Sequence, residues 1–343
     1  MTATTGVRYP FASSLPAPGG MLEVAPGVHW VRMPLPFALD HINLWVIEDG
    51  EGWTIVDTGY GVEATQDLWN RLLDGPMGSR PVKRIVVTHY HPDHVGCAAW
   101  LAERTGAKVW MTTAEFLSAH AARDDAAGFD RATGIDFFGR NGLDISKIPE
   151  KVRLGNTYRR GVPELPRTYR RMMHGDELVI GGHAWEVITV FGHAPEHAAL
   201  HCQSLGLLIS GDQVLPRITS NVGVWGNQPD GNPLALFLDS LSRFEPCDEG
   251  IRVLPSHDRV FEGLHPRLAQ LRAHHAERLL ALLAACDRPV SAFDILPVLF
   301  KRALDEHQMG FAMGEAIAHL HYLLAEGRVT REETGGVRRF VRA

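Results

Sequence analysis

The segment THYHPDHVG, residues 88–96, constrains this chain more than any other, because it gathers His89, His91, Asp93 and His94 into one short stretch. The preceding run, KRIVVTH (83–89), reads as a buried strand rich in β-branched residues. The two-residue spacing of His89 and His91 at its end points both imidazoles the same way. Pro92 stops the strand, and Asp93 and His94 open the next helix, close enough to address a neighbouring position. Neutral imidazole and carboxylate suit zinc and similar divalent cations. Four such groups this close exceed what packing requires, and a histidine-rich solvated loop is the weaker reading.

Around this motif the chain alternates strands and helices. Residues 1–20, rich in Pro, Gly, Ser and Ala, are expected to form an extended arm. VHWVRM, INLWVIED and WTIVD then read as short strands, with Asp49-Gly50 as a turn. Val62 to Leu73 and Asp93 to Glu103 read as helices, and AKVWM as a strand, a rhythm that indicates an α/β fold class. Residues 114–175 break it after a helix from Ala114 to Asp124. A segment this long between strands is a lid, a substrate-binding insertion or a decoration without chemistry. Strands resume in ELVIGGHAWEVITVFGH, with Gly181-Gly182 as a hairpin turn, and continue in HAALHCQ, GLLISGD and RVLPSH, with a helix from Pro233 to Phe244. From about Leu264 the pattern is helical: residues 265–286, a helix N-capped by Ser291 and running through Ala303, and one from Phe311 to Glu326. Two short strands about Gly335-Gly336 end the chain.

The H-x-H-x-D-H signature at His89, His91, Asp93 and His94 resembles that of the metallo-β-lactamase superfamily. Further motifs stand in the family's order: IVDTGY with Asp57, FGHAPEH with His193, ISGDQ with Asp212 and LPSHD with His257. The resemblance spans roughly residues 21–263. It implies an αββα sandwich and a two-metal site, with metal one on His89, His91 and His193 and metal two on Asp93, His94 and His257. Asp212 would bridge them, Asp57 would brace the metal loop from the second shell, and Asp93 and Asp212 would take part in catalysis. The implied cofactors are two divalent ions, zinc in the first place, with iron or manganese as alternatives. Two cations about 3.5–4 Å apart can hold a hydroxide between them at neutral pH and polarise a carbonyl or phosphoryl oxygen. No serine or cysteine nucleophile is then needed, and no G-x-S-x-G elbow occurs.

The pattern also departs from its relatives. Glu196 stands where related thioester and lactone hydrolases carry glycine, and it is expected to face water; His197 is read as structural. Gln213, Val214, Leu215 and Pro216 follow Asp212, so the tyrosine that assists lactone cleavage has no obvious holder. Tyr90 is expected to pack beneath the loop in preference to reaching substrate. His120, His183, His201 and His265 are expected to be structural or exposed, and His319 and His321 to lie on the surface or in the core.

The division expected is an arm (1–20), a metallo-β-lactamase domain (21–265, insertion 114–175) and a winged-helix-like C-terminal domain (266–343). The tail resembles that of a subgroup whose members include single-strand ribonucleases. Arg328, Arg331, Arg338, Arg339 and Arg342 would be its phosphate grips, but Glu332 and Glu333 interrupt them and aromatic interleaving is thin. A structural or dimerising wing is favoured, and a homodimer is compatible with it. The net charge of −6 gives no general attraction to nucleic acid or anionic membrane. No run approaches the roughly 20 apolar residues of a membrane span, and the N-terminus lacks a secretory pattern. Cys97, Cys202, Cys247 and Cys286 form no C-x-x-C pair, which fits reduced thiols in a cytoplasmic protein.

The leading expectation is a dinuclear hydrolase of a small thioester or ester, similar to the glyoxalase-II-like branch. The alternatives are a phosphodiesterase or single-strand ribonuclease using the same site, and a nucleic-acid-binding regulator with a vestigial lactamase domain. A one-iron persulfide dioxygenase would not need Asp93, His94 and His257 together.

Overall fold

The computed structural model describes residues 6–12, 14–147 and 155–343. Parts of the expected arm (1–5 and 13) and of the insertion (148–154) lie outside the described residues. Among these, the first sheet runs in chain order β1 (Leu22–Ala25), β2 (Val28–Pro34), β3 (His41–Asp49), β4 (Gly52–Val56), β5 (Val82–Val86), β6 (Lys108–Met111) and β7 (Arg170–Arg171). Its pairs are antiparallel as far as β4 and parallel from β4 to β7. The second sheet has the order β13 (Phe261–Glu262), β12 (Arg252–Pro255), β11 (Leu207–Gly211), β10 (His197–Cys202), β9 (His183–Val190) and β8 (Glu177–Ile180). Gly181 and Gly182, at φ 61° and 81°, close the β8–β9 hairpin, the paired left-handed conformation that glycine adopts without strain.

Three buried clusters place the layers. Trp30, Trp45 and Val86 of the first sheet meet Trp185, Leu200 and Ile209 of the second inside the sandwich. The alternate residues of the same strands, such as Val31 and Val46, turn outward onto Trp69, Leu72 and Leu101 of helices Glu63–Asp74 and Ala98–Thr105. On the far side, Leu208 and Val253 pack with Phe237, Leu271 and Leu320. This period-2 sharing of strand residues between two cores yields four layers, helix, sheet, sheet and helix. Trp30 faces Trp45 across β2 and β3 with ring centroids 6.2 Å apart, a stacked pair worth about 0.5–1.5 kcal/mol beyond its burial.

The C-terminal helices Leu264–Ala285 and Glu306–Ala325 contribute to the same core as the second sheet, and the hairpin β14 (Val329–Thr334) and β15 (Val337–Arg342) follows them. The helix expected over 291–303 is reduced to Leu296–Leu299. Ser291 does not cap it: its hydrogen bonds with Asp294 close a turn before the helix, whose N-cap is Ile295, and Pro297 cannot lie deep within a helix. The single helix expected from Asp93 to Glu103 is divided into Pro92–Val95 and Ala98–Thr105. The Cys97 amide bonds to Gly59 C=O at 3.2 Å instead of continuing the first turn. A Cβ on Gly96 would lie 2.3 Å from the Gly161 carbonyl oxygen and 2.5 Å from the Gly61 nitrogen, so only glycine permits this approach. Among the described residues no helix is long and apolar enough to cross a membrane.

Candidate metal centre

Each segment carrying a motif residue follows the carboxyl end of a strand: Asp57 after β4, His89 to His94 after β5, His193 after β9, Asp212 after β11 and His257 after β12. Two backbone hydrogen bonds, Ala198 N–H to Thr88 C=O at 2.9 Å and Asn43 N–H to Ser256 C=O at 2.7 Å, join the two sheets at this edge. His89 and His91 themselves lie beyond β5, which stops at Val86, so their convergence is set by loop contacts and not by strand pleating.

Donor atoms of His89, His91, His193 and Asp212 form one group and those of Asp93, His94 and His257 another, each within 4.8 Å. In the first, His89 Nε2 is 2.9 Å from His91 Nδ1 and 3.2 Å from His193 Nε2. Asp212 stands between the groups: Oδ2 is 3.4 Å from His193 Nε2, and Oδ1 is 3.5 Å from His94 Nε2 and 3.4 Å from His257 Nε2. Asp93 Oδ2 completes the second group at 3.5 Å from His257 Nε2.

The surroundings assign the imidazole tautomers. His193 donates from Nδ1 to Asn221 C=O at 2.8 Å, and His257 from Nδ1 to His41 C=O at 2.9 Å. His94 donates from Nδ1 to Asp57 Oδ2 at 2.8 Å. Thr88 accepts from His89 Nδ1 at 3.0 Å while its hydroxyl donates to Asp57. Each Nε2 lone pair is thereby turned inward. Asp57, at φ +61°, also takes the Thr88 amide at 2.8 Å.

Burial, reinforced by neighbouring imidazoles, holds His89 and His91 well below the ordinary histidine value, and burial lowers His193 despite Asp212. Burial would also lower His94, but Asp57, Asp212 and Asp93 raise it well above that value. His257 is raised in the same way, by Asp212 against its burial. Burial opposes ionisation of Asp212, yet His257 and His94 keep its carboxyl well below the usual range. Burial therefore disfavours positive charge on the three imidazoles of the first group, while the carboxylates around His94 and His257 favour positive charge at the second.

These donors fit cations. A tetrahedral ion with ligands at about 2.0–2.1 Å spaces them about 3.3 Å apart, close to the separations above. His94 Nε2 and Asp212 Oδ1 are buried without a hydrogen-bond partner, a costly arrangement for two polar atoms that a shared cation would satisfy.

Other residues take clear places. His197 is fully buried, and its Nε2 accepts the Asp212 amide at 3.3 Å. Glu196 corrects its expectation: its carboxylate accepts from Ala114 N–H at 3.3 Å and its carbonyl from Thr112 Oγ1, because the start of helix Thr113–Arg123 lies against it. Tyr90 packs on Tyr158 and Phe129, and its carbonyl accepts the Tyr158 hydroxyl at 2.5 Å. His120, His183 and His265 bond to Pro166 C=O, Ser204 and Glu245 C=O, and His201 faces Glu186 at 3.8 Å. His319 and His321 are buried, against His275 and Gly231 C=O. Sequence reasoning gave no part to Thr88, His41, Asn221 or Glu115. Only Thr88, adjoining His89, carried a local signal.

The geometry and the family comparisons agree. Residues 38–257 match the metallo-beta-lactamase superfamily model and residues 279–343 the model for a metallo-beta-lactamase-like C-terminal domain. The chain belongs to the metallo-β-lactamase superfamily of hydrolases. It is 46% identical to a beta-lactamase domain protein from Burkholderia ambifaria, whose crystal structure aligns with a TM-score of 0.91 over 100% of this chain and 99% of that one. A probable metallo-hydrolase of Bacillus subtilis, YqjP, is 24% identical over 88% of this chain and 93% of its own. A hydroxyacylglutathione hydrolase of Idiomarina loihiensis is 26% identical over 65% of this chain and 61% of its own.

Proposed function

We propose that this chain is a dinuclear metal-dependent hydrolase of small thioester or ester substrates. The observation that carries the reading is the Asp212 carboxylate, with one oxygen toward His193 and the other toward His94 and His257. His89, His91 and His193 would hold one divalent ion, Asp93, His94 and His257 the other, and Asp212 would bridge them. Zinc suits the nitrogen-rich set, with iron or manganese as alternatives. Such a pair of cations supplies Lewis acidity toward the carbonyl oxygen and an acidified water for attack.

The chain's own groups do the positioning. Asp57 orients His94 and, through Thr88, His89. Asp93, whose side chain is 15% exposed, is the more open of the two carboxylates in the site and can accept a proton from the attacking water. Asp212 keeps the two donor groups in register and offsets their positive charge. The likeness to a hydroxyacylglutathione hydrolase supports a thioester. The wing arginines lend no support to a nucleic-acid substrate: Arg331 and Arg338 face Asp230, Arg339 faces Asp294 and Arg328 faces Glu326. The tail is read as a structural, winged-helix-like cover, and the buried free cysteines suit a cytoplasmic setting.

The test combines metal analysis with a panel of thioesters, lactones, phosphodiesters and single-stranded RNA, run on the wild type and Asp212→Ala. Two ions per chain, and thioester turnover lost in the variant, are expected. One iron per chain, or RNA cleavage with every thioester untouched, would overturn the reading.

A further inference from the structure

Helix Thr113–Arg123 opens with Thr112-Thr113-Ala114-Glu115, the spacing at which a threonine and a glutamate cap a helix reciprocally. That cap is not made: Thr112 makes no side-chain bond to its own helix. Its hydroxyl donates instead to Glu196 C=O at 2.8 Å. Glu115 is fully buried, and each of its oxygens accepts one backbone amide. Oε2 takes Tyr90 N–H at 2.9 Å, and Oε1 takes Glu196 N–H at 2.6 Å.

Those two amides belong to the loops of the first metal position. Tyr90 lies between His89 and His91, on the loop after β5 of the first sheet. Glu196 lies between His193 and His197, on the loop after β9 of the second. One carboxylate therefore spans both sheets at the point where their histidines must converge. Burial pushes this carboxyl up to about 8, so an apolar residue would suit the position better if packing were its only task.

We propose that Glu115 is a positioning residue for the first metal site, setting the distance of the His89–His91 loop from the His193 loop. The role rests on the metal-site reading above, and it gives the 114–175 insertion a task, since its first helix becomes part of the metal scaffold. Glu115 touches neither substrate nor cation. The mechanism is geometric: without both acceptors, the two loops lose their common anchor and the three histidine nitrogens no longer share one centre.

The test titrates metal-free protein with cobalt(II), following visible absorption and competition with a chelator. Wild type, Glu115→Gln and Glu115→Ala are compared, alone and with His257→Ala, which removes a ligand of the second position. Cobalt affinity at the first position should fall about 10–100-fold in Glu115→Ala, with an altered absorption band. Glu115→Gln should fall between, since its amide oxygen can serve one N–H while its NH2 group opposes the other. The isosteric Gln variant carries the test where the alanine variant loses helix content by circular dichroism. Wild type binding two ions, with both variants matching it in affinity and spectrum, would overturn the role of Glu115 alone. Wild type that binds no cobalt would overturn both readings.

Discussion

Replacing Gly211 by alanine tests how the strand-end geometry holds the central carboxylate. Gly211 precedes Asp212 at φ +53°, and a Cβ there would lie 2.2 Å from His197 Nε2 and 2.5 Å from His197 Cε1. The imidazole cannot withdraw freely, because it is buried and accepts the Asp212 amide. A left-handed backbone costs a non-glycine residue about 1–2 kcal/mol, forced overpacking about 1–3 kcal/mol, and a weakened hydrogen bond about 1 kcal/mol. Gly211→Ala should therefore lower stability by about 3–6 kcal/mol, measured by urea unfolding of the metal-free chain. His197→Ala, which leaves a cavity, should cost about 2–4 kcal/mol. The double variant has room for the new methyl group, so it should fall short of the sum by about 1–3 kcal/mol. Strict additivity, or a Gly211→Ala protein within about 1 kcal/mol of wild type, would refute the argument that the ring and the glycine share one space.

Asp57→Asn keeps a residue type that tolerates the positive φ of this position, but sets an amide against His94 Nδ1–H or the Thr88 donors. Metal affinity at the second position should drop about 10–100-fold, and a chelator titration equal to wild type would contradict the bracing role. The pair His275 and His319, 3.1 Å apart in the tail core, is lowered by burial to about 3 and about 4. Both are neutral when folded and protonate first when unfolded, so their stabilisation is complete above pH 6.5 and is lost as pH falls toward those values. Each histidine should add up to about 1.4 kcal/mol of destabilisation per pH unit in that window. Urea unfolding between pH 7 and 5 should be less steeply pH-dependent in His275→Gln, and an identical slope would remove the pair from the account. Arg331→Ala and Arg338→Ala break ion pairs whose shared partner, Asp230, is exposed, so loss of each pair should cost only about 0.2–1 kcal/mol. They should leave binding of single-stranded RNA unchanged by filter retention; a marked loss of retention would return the wing to a nucleic-acid role.

Much of the layered architecture was legible because strands buried on both faces read as short apolar runs bounded by turn residues, as VHWVRM and INLWVIED do. Helix boundaries were less legible. The break at Gly96-Cys97 depends on backbone from residues 59–61 and 161, and the failure of the 291–303 helix on a proline whose effect depends on position. The winged-helix likeness rests on the element order at the C-terminus, yet the tail helices share one buried cluster with the second sheet, a relation no local pattern carries.

For the site, the sequence alone determined the four ligand types of residues 89–94, since their chemistry is local and dense. With the family resemblance it also nominated Asp57, His193, Asp212 and His257. Only the tertiary structure decided how these groups face one another. The Nδ1 protons of His193 and His257 are fixed by carbonyls of Asn221 and His41, 28 and 216 residues away. Glu115 reads as an ordinary helix-capping glutamate until the Tyr90 and Glu196 amides arrive beside it. Backbone donors have no residue identity, so a contact made to them leaves no mark in the sequence; it exists only when folding brings the two loops together.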